Sequence, residues 1–403
     1  MQKSLNKKRL AIVVSGGNLD IPKGLVNAAL NRIKHLKEIA EYQIDAFYFY
    51  QKRLPLSLSS ILYSLKKEIR EVNGVSLRLI KYIEFYSDKK YIRILARLLN
   101  KARGVNLGDI FLCSKSAGRF KKYDALSVHS NDGAFMALEA KRKYGVPYFV
   151  TWHGSDIHST PFEIEEIKLP TIKAIEEAEC NFFVSNALKE ASDKLTQKGR
   201  KDVLYNAASD IFIRFPDEER KELRRKYGVE KTKVVTFAGT IREIKNALLL
   251  PAIFEEVSKQ YSGDVVLWVI GNGSQQDELK KQLSERNLQF RFSGFKPTEA
   301  MPELLNCTDV FVIPSKNEGF CLAAVEALRC GANAVGSKVG GIPEVIGEKF
   351  CIQFGENFEE RFALRVVSLL ETPEKQVVND CFDWRATARK EDSFYRGFLG
   401  EGN

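Results

Sequence analysis

A chain of 403 residues exceeds one ordinary hydrophobic core and suggests roughly two or three domains. With 44% hydrophobic and 28% charged residues its composition is globular, and a net charge of +10 favours anionic partners such as nucleotides, lipid surfaces or nucleic acid. The seven cysteines are odd in number, scattered and without a Cys-x-x-Cys pair, which argues against a disulfide framework or a zinc site and for a reducing compartment.

Lys7-Lys8-Arg9 precedes an apolar run, Leu10 to Val14, that is too short for a signal-peptide core, and no run approaches a membrane span. A cytoplasmic protein is expected. Leu10 to Val14 reads as a buried strand, followed by Ser15-Gly16-Gly17 and, after Gly24, a helical pattern through Ile39. Glycines between a first strand and a first helix allow close approach of a phosphate, or simply make a tight turn. Ile44 to Tyr50 is a second strand.

From Gln51 to Arg103 the chain holds thirteen Lys or Arg against four acids, Glu68, Glu71, Glu84 and Asp88. Leu, Ile and Tyr recur between the charges at helical spacing, with tyrosines at 82, 86 and 91. Basic amphipathic helices of this kind lie on anionic bilayers; the alternative is a solvated helix face over an ordinary core. Nucleic acid is not expected, since no binding motif accompanies the charge.

Further strands are expected at Ile110 to Cys113, Asp124 to His129, Tyr148 to Trp152, Asn181 to Ser185 and Asp202 to Tyr205, interleaved with helices. A charged, strandless boundary with one exposed helix spans Asn206 to Gly228, and a second series follows at Val234 to Ala238, Val265 to Ile270, Phe290 to Ser293, Val310 to Ile313, Ala334 to Gly336 and Cys351 to Phe354. Alternation at this spacing means two parallel α/β sheets. The expected domains are 1–210, with the basic insertion 51–103, then 211–375, then a helical segment 376–403.

The densest chemistry lies between Asp309 and Ile346. A strand breaks at Pro314-Ser315, passes Gly319, and becomes a helix near Cys321 that stops at Gly331. Glu318 precedes the helix and Glu326 lies within it. Free N–H groups at such a helix start suit a phosphate, and the carboxylates suit hydroxyls. In the same half, Arg242 and Lys245 follow a strand ending at Gly239 and could answer a diphosphate, and Gly271-Asn272-Gly273 is another close-approach turn. In the first half, His129 and His153 each follow a strand, where open α/β sheets bind ligands, and Asp156 could orient the His153 ring. His35 reads as solvated on a basic helix. No Asp-x-Asp, Walker, Gly-x-Ser-x-Gly or His/Cys cluster occurs.

Pro314-Ser315, Glu318-Gly319-Phe320, Glu326-Ala327, Gly331 and Gly340-Gly341-Ile342-Pro343-Glu344 make the sequence similar to glycosyltransferase family 4, retaining enzymes of the GT-B fold. Ser15-Gly16-Gly17, His153-Gly154-Ser155-Asp156, Asn206 and the segment from Phe382 to Tyr395 agree in order. The resemblance implies two Rossmann-like doubly wound domains facing across a cleft, with the C-terminal helix crossing back to the first. It implies that Glu318 holds donor-sugar hydroxyls, that amides of Gly319, Phe320, Cys321 and Leu322 cradle sugar and phosphate, and that Glu326 binds the ribose. Gly16 and Gly17 would lie near the donor phosphate, with His153 by the transferred sugar. Where the family has Gly-Arg and then a lysine, this chain has Gly239-Thr240, with Lys245 in register and Arg242 two places late.

The implied reaction moves a hexose-type sugar from a nucleotide-diphosphate sugar to a saccharide or lipid-linked saccharide, with no metal or other cofactor, in bacterial surface polysaccharide or glycolipid assembly. The protein would be cytoplasmic or peripheral on the inner face of the plasma membrane. A sugar-nucleotide epimerase of the same fold and a non-catalytic nucleotide-sugar or membrane-binding module are the alternatives.

Overall fold

The computed structural model describes residues 7–16, 19 and 24–400. Gly17 lies outside the described residues. The chain divides into two compact units, Met1–Leu204 with Trp384–Asn403, and Tyr205–Asp383. The sequence had suggested boundaries near 210 and 375.

The first unit is an eight-stranded sheet with the order β3-β4-β2-β1-β5-β6-β7-β8. Its strands are β1 (Arg9–Val14), β2 (Gln43–Pro55), β3 (Ile69–Val72), β4 (Val75–Tyr86), β5 (Ala125–His129), β6 (Tyr148–Trp152), β7 (Cys180–Phe183) and β8 (Lys201–Val203). All pair in parallel except β3 with β4. The inner strands β5, β6 and β7 are buried along their whole length, because helices cover both faces of a parallel sheet. Strand order reverses at β1, whose neighbours are β2 and β5. The carboxyl ends of β1 and β5 therefore flank a crevice suited to a ligand.

The basic stretch is only partly helical. It forms the end of β2, helix α2 (Leu58–Leu65), the β3–β4 hairpin and helix α3 (Lys90–Arg103). Tyr82 and Tyr86 accordingly lie on a strand rather than on an amphipathic helix. Four apolar residues, Ile110 to Cys113, do not make a strand: they lead into a 3-10 segment, Leu112–Phe120, which packs against α4 (Ser130–Tyr144).

The C-terminal helix Trp384–Leu399 packs on α1 (Leu25–Ile39) through a buried ion pair. Arg32 Nε donates to Glu391 Oε2 at 3.0 Å, Nη2 lies 2.9 Å from Oε1, and both side chains are about 1% exposed. Tyr395 shares its hydroxyl between Glu391 and Ser127. His35 is buried rather than solvated, with Nδ1 2.8 Å from the Asn31 carbonyl.

The second unit holds a six-stranded parallel sheet with the order β11-β10-β9-β12-β13-β14. These are β9 (Lys233–Ala238), β10 (Val265–Ile270), β11 (Phe290–Gly294), β12 (Val310–Ile313), β13 (Asn333–Ser337) and β14 (Cys351–Ile352). The reversal here is at β9, between β10 and β12. Among the described residues no helix is long and apolar enough to cross a membrane.

Candidate active site

The second unit gathers its expected donor-binding residues at that reversal. Lys245 follows β9 through the turn Glu243–Lys245, and Glu318 follows β12. The two loops are stitched together by Lys316 N–H, which donates to the Ile244 carbonyl at 2.9 Å. Lys245 Nζ then donates to Glu318 Oε1, and Ser315 Oγ donates to the same oxygen at 3.0 Å. Burial pulls the Lys245 ammonium down, but the Glu318 charge and the Cys321 thiol outweigh it, so its pKa stands above the ordinary lysine value. A lysine has three N–H donors, so those not turned to Glu318 remain for a phosphate.

The Glu318 loop is held from behind by the glycines of the Gly340-Gly341 turn. Gly341 N–H donates to the Glu318 carbonyl at 3.0 Å. Gly340 has φ +49°, and a Cβ there would overlap that same carbonyl oxygen, so only glycine fits. Phe320 is buried against Tyr205 and Phe382, with ring centroids 5.9 and 5.1 Å away. Its side chain anchors the loop and leaves its amide as the part available to a ligand. Tyr205 in turn donates to Glu344 at 3.0 Å.

The helix Leu322–Arg329 starts at Cys321, which adopts φ +66° with no side-chain cap, so the amides of its first turn lack a capping side chain. Glu326 lies inside this helix, half-buried, and burial raises its carboxyl to about 8. Burial also raises the Cys321 thiol to about 12, which keeps it protonated and unreactive. Arg242 is exposed and pairs with no carboxylate among the described residues. Gly271 sits at the end of β10, where a Cβ would overlap the Gly239 carbonyl. The approach this glycine permits is therefore that of the neighbouring loop.

In the first unit, Ser15 and Gly16 follow β1, while His129 ends β5 and His153 follows β6. Ser15 Oγ donates to the His129 carbonyl at 2.7 Å, accepts from Gly133 N–H at 3.2 Å and lies 2.9 Å from Ser130 Oγ. Gly16 has φ +81° and receives the Tyr48 hydroxyl on its carbonyl at 3.2 Å. His129 Nδ1 contacts His153 Nε2 at 3.0 Å. Asp156 does not orient the His153 ring as expected. Its carboxylate instead accepts the backbone N–H of His153 at 3.1 Å and of Gly154 at 2.7 Å, because the tight turn after β6 points those amides at it. Burial raises Asp156 to about 6 against the lowering effect of these two amides. His129 is thus the ring's actual partner, and the only hint in the sequence was its own place at a strand end.

Two doubly wound α/β units, one presenting a lysine, a carboxylate and a helix N-terminus at its strand-order reversal, have the architecture of the GT-B fold. Residues 219–390 match the family model described as "Glycosyl transferases group 1". The chain is 27% identical over 250 residues to N-acetyl-alpha-D-glucosaminyl L-malate synthase of Bacillus anthracis, covering 59% of this chain and 63% of that relative. To 2-deoxystreptamine glucosyltransferase of Streptomyces kanamyceticus it is 27% identical over 301 residues, covering 65% of this chain and 74% of that one. The fold matches that of Anabaena HepE in complex with UDP at a TM-score of 0.66 and 18% identity, over 96% of this chain and 94% of that one.

Proposed function

We propose that the protein transfers a hexose-type sugar, with retention of configuration, from a nucleotide-diphosphate sugar to a hydroxyl of a saccharide or lipid-linked saccharide. The observation that carries this reading is the meeting of Lys245 and Glu318 at the reversal of the second sheet. Lys245 and the backbone amides at the start of the Leu322–Arg329 helix answer the negative charge that grows on the diphosphate as the bond from the sugar C1 breaks. Glu318 accepts sugar hydroxyls beside that charge, Glu326 takes the ribose, and Arg242 is free to reach the outer phosphate. On the first unit, Gly16 and His153 serve the transferred sugar and the acceptor, whose oxygen forms the new bond to C1 and releases its proton. UDP is the nucleotide to try first, since HepE of the same fold holds it. Bacterial surface polysaccharide or glycolipid assembly is the setting we propose.

A thermal-shift panel of UDP, GDP, ADP and their sugars selects the donor, and radiolabelled transfer to saccharide acceptors then measures turnover. Glu318→Ala should lose most turnover while keeping its fold, and Lys245→Ala should raise the donor KM. Near-normal transfer by Glu318→Ala would refute the site, and conversion of the donor with no acceptor present would indicate an epimerase.

A further inference from the structure

Helix α3 is fixed to the protein by one face and leaves an apolar stripe on another. Ala96, Leu99, Asn100 and Arg103 recur at the spacing of one helix face and fix it to the protein. Asn100 clamps the backbone of Phe85, donating to its carbonyl at 2.8 Å and accepting its N–H at 2.9 Å. Arg103 donates to the Ile83 carbonyl at 3.0 Å and lies over the Phe85 ring.

Tyr91, Ile94, Leu95 and Leu98 repeat the same spacing on the opposite side, at about 100° per residue, and are 85%, 51%, 52% and 59% exposed. Such a stripe on an isolated soluble chain leaves a row of large apolar side chains in water. Along one flank run Lys90, Arg93, Arg97 and Lys101. None of these pairs with a carboxylate among the described residues, and the first turn contains no acid. Elsewhere in the basic stretch several of the charges are paired, as in Glu68 with Arg70 and Lys81, or Glu84 with Arg53. A row of four such cations thus lies on the helix that carries the unused apolar stripe.

We infer that α3 is a membrane-docking helix, lying in the plane of an anionic bilayer with Tyr91, Ile94, Leu95 and Leu98 in the headgroup boundary and its flanking cations on the lipid phosphates. Apolar depth and positive charge are both required of such a helix, and α3 presents both on its free side. A free anion or a nucleic acid would use the cations and leave the stripe uncovered. Helix α2 repeats the pattern with Leu58, Leu62 and Leu65 exposed and Lys66 and Lys67 at its end. The inference deepens the reading of a lipid-linked acceptor, but its test needs no turnover, so either can fail alone.

The full chain is sedimented at low salt with vesicles of phosphatidylglycerol and phosphatidylcholine, and with phosphatidylcholine alone. Binding is expected only to the anionic vesicles and should weaken with salt. Neutralising two cations in Arg93→Gln/Arg97→Gln should lower the apparent affinity about thirtyfold, and Leu95→Asp/Leu98→Asp should reduce binding to background. Both variants should keep the wild-type melting temperature, since these side chains face water. As a readout independent of them, Tyr91→Trp should shift its emission to the blue on anionic vesicles. Equal binding to neutral vesicles, no binding at all, or no emission shift would overturn the inference. So would a wild-type dimer that Leu95→Asp/Leu98→Asp makes monomeric, because a second copy would then cover the stripe.

Discussion

His129 Nδ1 lies 3.0 Å from His153 Nε2, with the rings 5.2 Å apart and 25° from coplanar, so one nitrogen donates to the other and the pair shares a single proton at that contact. Burial, then the neighbouring His153 and Arg32, pushes the His129 pKa well below the ordinary 6.5, and burial followed by Arg32 takes His153 down to about 3. Both rings are neutral at working pH. The pH profile of kcat should therefore show no limb near 6.5. His153→Ala should lower kcat on the order of a hundredfold, and His129→Phe, which removes only the partner, by about tenfold. Because these pKa values lie below those of the unfolded chain, their stabilising effect is complete above 6.5 and is lost as pH falls toward 3, which urea titrations at pH 7 and pH 4 would register.

Glu326 gives a pH dependence of opposite character. With its carboxyl raised to about 8 by burial, it is mostly protonated at pH 7. A ribose diol donates to the ionised form, so nucleotide binding should tighten as pH rises, by up to about tenfold per unit below 8. Calorimetry in buffers of different ionisation enthalpy should detect a proton released on binding. Glu326→Gln should flatten the slope; an unchanged slope would remove Glu326 from the ribose.

The buried Arg32–Glu391 pair makes a stability prediction. Glu391→Ala strands a charge that is about 1% exposed and should cost about 3–5 kcal/mol in chemical denaturation. Replacing both partners, as in Arg32→Met/Glu391→Leu, should recover most of that loss. Equal destabilisation by the single and double changes would mean that packing, not charge, is what the site requires.

Cys321 occupies a left-handed backbone position that glycine adopts freely. Cys321→Gly should raise stability by about 1 kcal/mol and leave donor affinity unchanged, since the backbone amide, not the thiol, faces the proposed phosphate. A fall in melting temperature would show that the half-buried sulfur contributes more than the strain costs.

Much of this was legible in the sequence, for local reasons. Continuous apolar runs such as Tyr148–Trp152 and Val265–Ile270 announced the inner strands, and the Glu318 loop announced itself by a strand, a proline break and a helix start. The strand β4 did not: its buried positions run Val75, Leu77, Ile80, Tyr82, Ile83 and Phe85, mixing periods of two and three, so a partly covered strand imitates a helix. The Ile110–Cys113 run was too short to tell a strand from a 3-10 turn. What the sequence concealed were partnerships made across the fold. Arg32 and Glu391 are 359 residues apart, and His129 and His153 meet only because β5 and β6 pair side by side.

The break in the first unit, between Leu204 and Trp384, sets an order of events during synthesis. Strands β1 to β8 leave the ribosome first, yet α1 exposes Arg32 until the Trp384–Leu399 helix emerges, while residues 205–383 already contain a complete sheet. The domain begun first is finished last. A nascent chain passes through a stage with a folded second unit and an open first one, when an unneutralised arginine and the apolar face awaiting Tyr395 are offered to chaperones.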